Sequence, residues 1–442
     1  MTGTLSNRHR KWLGWLNLLA RFASVQLVIQ VLGFLSGILI VRHLSKPDYA
    51  VFTIANALIA TLSMLADSGV TGAVSAIGGK IWQDNEKLSV LVSTALSLRR
   101  RLALTATGVL TPVFVWMLWK NSAPAATVAV VVAIALAGFF LQFTSNVMSV
   151  GIWLRQELKR LQMFTLAPAL LRAVLIALAS LIFLDARIAL LIGVLAAALQ
   201  IVLVRRWEHG AIRWDRPSDA ECRGRIVGVL KRQAPLTIFY CVQSQIITWL
   251  ISVFGRSEQV ADIGAIGRFA MIFMLVSSVV NGIVVPRFAR CQDASVLRRR
   301  YCQVAIGFAS FAGALVALSA MFPGALLWVL GSKYAHLTRE VWLLMLSSAL
   351  AGMFGTLSAM AFCKAWIVPA IVSIPAEIAV QTLLILTLDL STVRGVLIVG
   401  CLGNLVPIAC TVFVAQRELK KAAQSPPPPA VTDADEKLPK PE

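Results

Sequence analysis

The chain has 442 residues, 58% of them hydrophobic and only 14% charged, with a mean hydropathy of +0.78. A soluble domain carries roughly 45–50% apolar and about 25% charged residues, so this is the composition of an integral membrane protein. The formal charge of +20 does not point to nucleic acid, because no basic stretch is interleaved with base-stacking aromatics.

Residues 1–21 begin with a basic stretch and place Trp12, Trp15, Leu16 and Leu19 on one helical face. This reads as a cytoplasmic interfacial helix. Apolar character resumes after Arg21, so no cleaved signal is expected. A spanning helix needs about twenty mostly apolar residues. Such runs lie near 22–41, 50–72, 102–119, 125–150, 163–184, 187–204, 234–254, 262–286, 303–322, 340–362, 366–388 and 394–415. Of the 41 lysines and arginines, 31 fall in alternate connections and at the two ends. By the positive-inside rule both termini then face the cytoplasm.

The basic connection 205–233 divides the spans six and six. The domain reading is therefore a bundle over 22–204, a linker over 205–233 lying along the inner membrane surface, and a second bundle over 234–415. The proline-rich tail 416–442 is assigned no fold. The halves echo each other, SVQLVIQ around Gln26 matching CVQSQII around Gln243, and YAVFTIAN at 49–56 matching the spacing of IGAIGRFA at 263–270. Together these features predict an all-α integral membrane protein, about 12 transmembrane helices in two six-helix bundles around a central cavity.

The second connection, VRHLSKPDYAVFTIAN at 41–56, is unusually polar for its surroundings. Ser45 and Asp48 make a capping-box-like S-x-x-D, and Pro47 sits in the first turn, where its missing N–H is harmless. Arg42 and Lys46 are expected to anchor to lipid headgroups.

Beyond this turn, Tyr49, Thr53, Asn56, Ala60, Ser63 and Asp67 recur on one helical face. Gln26, Gln30, Gly33 and Gly37 do the same in the first span, as do Thr165, Ala169 and Arg172 in the fifth. Thr237, Cys241, Ser244, Thr248 and Ser252 follow suit in the seventh, and Ala370, Ser373, Glu377 and Gln381 in the eleventh. Small and weakly polar stripes also serve helix packing in lipid, through pairs such as Gly33-x-x-x-Gly37. Charges are different, because Arg or Asp at a helix centre costs about 2.5–3.5 kcal/mol and marks a functional site by default.

Arg172 and Glu377 are the deepest charges. Arg268 lies nearer a helix end, and Arg21 and Lys364 sit at inner ends where snorkelling is the rule. A cavity with more cations than acids suits an anion, and the guanidinium fork suits phosphate or pyrophosphate. Candidate substrate ligands are Arg172, Arg268, Arg21, Lys364, Gln26, Gln30 and Asn56. Glu377 and Asp67 are candidates for a coupling proton or cation.

Catalysis is not expected. The outer connections are short, and no Walker loop, Ser-His-Asp set or H-E-x-x-H appears. Seven cysteines without a C-x-x-C pair and four histidines give no disulfide framework, no metal site and no cofactor.

A family resemblance rests on R-x-L-S-x-x-D-Y-[GA]-x-F, here Arg42 to Phe52, on Leu65-Ala66-Asp67-Ser68-Gly69, and on Trp328-Val329-Leu330-Gly331-Ser332-Lys333-Tyr334. These stretches resemble the polysaccharide-export or O-antigen (Wzx-like) flippases of the multidrug/oligosaccharidyl-lipid/polysaccharide superfamily, with Ala50 in place of the usual Gly. The resemblance in layout covers about residues 15–420. It implies a V-shaped pair of bundles in a bacterial inner membrane, moving polyprenyl-pyrophosphate-linked oligosaccharide to the outer leaflet by alternating access. Membrane lipids, polysaccharide polymerase and chain-length proteins are the implied partners. The alternatives are a cation-coupled small-molecule or drug exporter of the same superfamily, a membrane enzyme, which the short outer connections disfavour, and a scaffold, which would leave the buried charges without a purpose.

Overall fold

The computed structural model describes residues 24–424 apart from most of 68–83 and 150–156, residues 122–123, 208–218, 365 and 367, and several positions within 281–292. Arg21, the interfacial segment 1–21 and the tail beyond Gln424 lie outside the described residues.

Every described element is helical. The first half comprises α1 (Ser24–His43), α2 (Lys46–Asp67), α3 (Asn85–Lys120), α4 (Ala125–Met148), α5 (Leu158–Ile182) and α6 (Ala186–Trp207). The second comprises α7 (Ala220–Phe254), α8 (Ser257–Ile266), a 3₁₀ turn Gly267–Phe269 and α9 (Ala270–Val279). It continues with α10 (Ala294–Met321), the short α11 (Pro323–Leu330), a 3₁₀ turn Ser332–Leu337, α12 (Val341–Cys363), α13 (Ala370–Thr387) and α14 (Val393–Gln424). Eleven described helical stretches are long and apolar enough to cross a membrane, and Ile238–Phe254 supplies a shorter apolar stretch at the seventh predicted span.

Local chemistry sets several helix starts. Asp84 accepts from the backbone N–H groups of Glu86 and Lys87, and Asp293 from those of Ser295 and Val296, each satisfying donors that a helix N-terminus leaves orphaned. Hydrogen bonds from Lys87 and Ser295, respectively, hold these carboxyls below the usual range. Ser45 Oγ donates to Asp48 Oδ2 at 2.6 Å and accepts from the Asp48 N–H at 3.2 Å, so the S-x-x-D turn starts α2 as its spacing predicts.

Within each half the helices pack on one another, α4 on α6 and α2 on α3 in the first, α12 on α14 and on α10 in the second. α7 is different, packing on α2 and α3 as well as on α14. Its beginning belongs to the predicted linker, yet Ile226 is buried against Leu91, Val92 and Ala95 of α3, and the Asp219 N–H donates to Thr94 Oγ1 at 3.1 Å. The end of the linker is thus a helix docked on the first half. α14 also runs on to Gln424, past the predicted end at 415.

Candidate functional site

A cavity of about 340 Å³ opens within the first half, between α1, α2, α4, α5 and α6. Its polar lining comes from Gln30 and Ser36 of α1, Asn56 of α2, Gln142 of α4, Thr165 and Arg172 of α5, and Gln200 of α6. No carboxylate is among the described lining residues. Three of these six amides and hydroxyls spend donors within their own helix: Asn56 Nδ2 donates to the Phe52 carbonyl at 2.7 Å, Ser36 Oγ to that of Leu32 at 2.6 Å and Thr165 Oγ1 to that of Gln162 at 3.1 Å. Arg172 is the one charged residue among the described lining residues. Its Nε is buried and has no hydrogen-bond partner among the described residues, an arrangement that costs free energy unless something fills it.

Arg268 reaches the same region from the other half. Its Nε donates to Tyr49 Oη at 3.1 Å, and its guanidinium carbon lies 5.8 Å from the centre of the Phe52 ring, a ring that also lines the cavity. Gly37 makes the passage: a Cβ there would come within 3.1 Å of both Cδ and Nη1 of Arg268. Arg172 and Arg268 are within electrostatic reach of each other.

The other predicted ligands are distributed differently. Gln30 and Asn56 line the cavity, whereas Gln26, on the same face of α1, does not. Lys364 donates to the Cys291 carbonyl at 2.5 Å at an end of the second half and takes no part in the lining. Gln142 and Gln200 were not expected. Gln200 is a single amide in an apolar helix, without a stripe to signal it, whereas Gln142 shares its face of α4 with Asn146 one turn on, a signal that the sequence did carry.

In the second half, Ser373, Glu377 and Gln381 of α13 are buried, as their stripe predicts. Glu377 is only 1% exposed and neither carboxylate oxygen has a hydrogen-bond partner among the described residues. Tyr240 and Cys410 are within its electrostatic reach. One turn on, Gln381 Nε2 donates to Gln243 Oε1. Asp67 is in a different situation. It pairs with Arg99 at 3.1 Å, and the Arg99 guanidinium lies 4.9 Å from the centre of the Phe143 ring. That ion pair ties α2 to α3.

Many contacts between the halves gather at the end away from the basic connections. Arg42 donates to the carbonyls of Val329 at 2.9 Å and Trp328 at 2.8 Å, and Lys333 returns to those of Arg42 at 3.1 Å and Leu44 at 3.0 Å. Lys46 Nζ lies 3.2 Å from Asp262 Oδ1, and His336 Nε2 3.0 Å from Asp262 Oδ2. Tyr49 Oη donates to the Gly264 carbonyl at 3.0 Å. A Cβ on Gly264 would sit 2.4 Å from Thr53 Oγ1, so glycine is what lets α2 and α8 meet. Asn121 Nδ2 donates to the Ser252 carbonyl at 3.2 Å, and Lys120 Nζ to that of Val253. Arg42 and Lys46 therefore hold the two halves together.

The fold is that of MATE transporters. A solved inward-facing multidrug resistance MATE family transporter of the MOP superfamily superposes with a TM-score of 0.65 over 91% of this chain and 99% of its own, at 16% identity. A MATE in complex with MaD3S gives 0.57 over 92% and 96%, also at 16% identity. An outward-facing multidrug resistance MATE family transporter gives 0.55 over 92% and 96%, again at 16% identity. No family model and no curated protein matches the chain.

Proposed function

We propose that the chain is a membrane transporter that carries an anionic cargo by alternating access. The observation that carries this reading is the Arg172 guanidinium in the wall of a cavity with no carboxylate among its described lining residues, with the Arg268 guanidinium packed on Phe52, another residue of that wall. Cations at membrane depth are expensive and mark a pathway, and a phosphate or pyrophosphate is the natural partner of a guanidinium fork. The charge bias puts the basic end in the cytoplasm, so the described state is closed to the outside. The higher TM-score against the inward-facing transporter than against the outward-facing one agrees with that.

Two cargo classes fit. The fold likeness by itself favours a cation-coupled small-molecule exporter, since the transporters it matches are described as multidrug resistance proteins. The arginine pair and the sequence resemblance favour polyprenyl-pyrophosphate-linked oligosaccharide, flipped across a bacterial inner membrane. In both, Glu377 is the group that takes up the coupling proton or cation, because a buried carboxylate without a partner is tolerated only when neutralised.

The leaflet position of polyprenyl-linked oligosaccharide in cells lacking the protein separates the two. Cytoplasmic accumulation relieved by wild type, but not by Arg172→Ala at equal expression, is expected for a flippase. Normal outward delivery together with raised sensitivity to small toxins transfers the reading to the exporter.

A further inference from the structure

Arg172 and Arg268 belong to different halves of the molecule, and Arg268 meets the cavity through Phe52 without being among its described lining residues. Arg172 is carried by α5, in the wall of the cavity itself. Arg268 is carried by the 3₁₀ turn between α8 and α9, yet it is held by groups of the first half: the Tyr49 hydroxyl, the Phe52 ring and the space left by Gly37. The Tyr49 hydroxyl that receives Arg268 donates in turn to the Gly264 carbonyl. The arginine and the contact between α2 and α8 thus share one anchor. Around that anchor stand Lys46, Asp262 and His336, with Arg42 and Lys333 clasping the backbone on either side. A motion that parts α2 from α8 breaks the Tyr49–Gly264 bond and carries Arg268 away from Gly37 and Phe52. Arg172 stays with the cavity.

We infer that Arg268 is a second cationic ligand which the C-terminal half lends to the N-terminal cavity only while the end away from the basic connections is closed. This rests on the reading of the cavity as an anion site and adds a release mechanism to it. Two guanidiniums face the cargo in the closed state, and one when that end opens. By linkage the effect is reciprocal: an anion touching both arginines favours closure, and closure tightens the anion. A hydrogen bond to a charged group contributes enough for the affinity to fall about ten- to hundredfold when Arg268 leaves.

Inorganic pyrophosphate is a suitable probe, titrated into full-length protein in nanodiscs for wild type, Arg172→Gln, Arg268→Gln and Asp262→Asn. The last variant discriminates. Asp262→Asn removes a negative charge, so simple electrostatics makes anion binding tighter, whereas loosening the closure withdraws Arg268 and makes it weaker. The expected result is weaker binding in all three variants. In addition, pyrophosphate should shorten the distance between spin labels at Pro47→Cys and Thr338→Cys in the wild-type background, with no such response when Arg268→Gln is added. Binding that falls in Arg172→Gln but is unchanged in Arg268→Gln and tighter in Asp262→Asn would overturn the lending of Arg268 and leave the anion site standing. Absence of pyrophosphate binding to folded wild type would overturn both.

Discussion

Asp262→Asn offers a quantitative test of the closure itself. The Asp262 side chain is 6% exposed and its Oδ1 lies 3.2 Å from Lys46 Nζ, which is 22% exposed. The contact is an ion pair rather than an aligned hydrogen bond, since Oδ1 has no hydrogen-bond partner among the described residues. Removing one partner of a fully buried pair costs about 3–5 kcal/mol, the uncompensated charge being the larger part. Lys46 keeps some water, so the cost here is about 2–3 kcal/mol, below that buried-pair range. His336, half exposed at 52%, adds less than about 1 kcal/mol, and the Asn oxygen can keep that bond. If the open state leaves Lys46 solvated, the closed state loses this amount relative to the open one. The ratio of closed to open molecules should then fall roughly 30- to 150-fold. Double electron–electron resonance between labels at Pro47→Cys and Thr338→Cys, in the absence of any anion, reads the ratio directly. The swap of Lys46→Asp with Asp262→Lys should restore most of it. An unchanged distance distribution in Asp262→Asn would refute the reasoning and reduce the polar turn at 41–48 to a cap for α2.

Four further outcomes are expected. Arg172→Ala should abolish transport while leaving thermal stability close to wild type, because it removes an unpartnered cation from membrane depth; a variant that transports normally removes Arg172 from the pathway. Glu377→Gln should fold and bind cargo but lose the dependence of transport on the ion gradient, and a gradient response equal to wild type argues against the coupling role. Gly37→Leu should displace Arg268 without touching its charge, and should match Arg268→Gln in pyrophosphate affinity measured by calorimetry. Asp67→Asn should lower thermal stability by several degrees, since Arg99 is 4% exposed and loses its charge partner. A melting temperature equal to wild type would show that pair to be dispensable.

The helical architecture was readable because lipid leaves few choices, and apolar length gives spans. The phase of each polar stripe was readable too. Gln30, Asn56 and Arg172 converge on one cavity, and Ser373, Glu377 and Gln381 face inward on α13. What failed were partners distant along the chain. Ser45 and Asp48 signal a cap through their spacing, but nothing local ties Arg42 to Trp328 and Val329, or Lys46 to Asp262. Both cations then fall back on the default of snorkelling. The pairing of Asp67 with Arg99 was missed for a related reason. The arginines at 99–101 look like a cytoplasmic loop, whereas α3 begins at Asn85 and already carries them, which brings Arg99 beside α2. Gln200 shows the limit of periodicity, since one amide in a helix makes no stripe, whereas Gln142 had a signal in Asn146 one turn on.

The claim at the centre of this account is that the cavity moves an anion past Arg172. Its most direct test is protein reconstituted into liposomes, with transbilayer movement of a polyprenyl-pyrophosphate-linked oligosaccharide and of a small organic cation followed in parallel. Movement of the lipid-linked pyrophosphate that Arg172→Ala abolishes, with no movement of the cation, is the expected result. Transport of the organic cation that is indifferent to Arg172, with the lipid-linked pyrophosphate left in place, would contradict it.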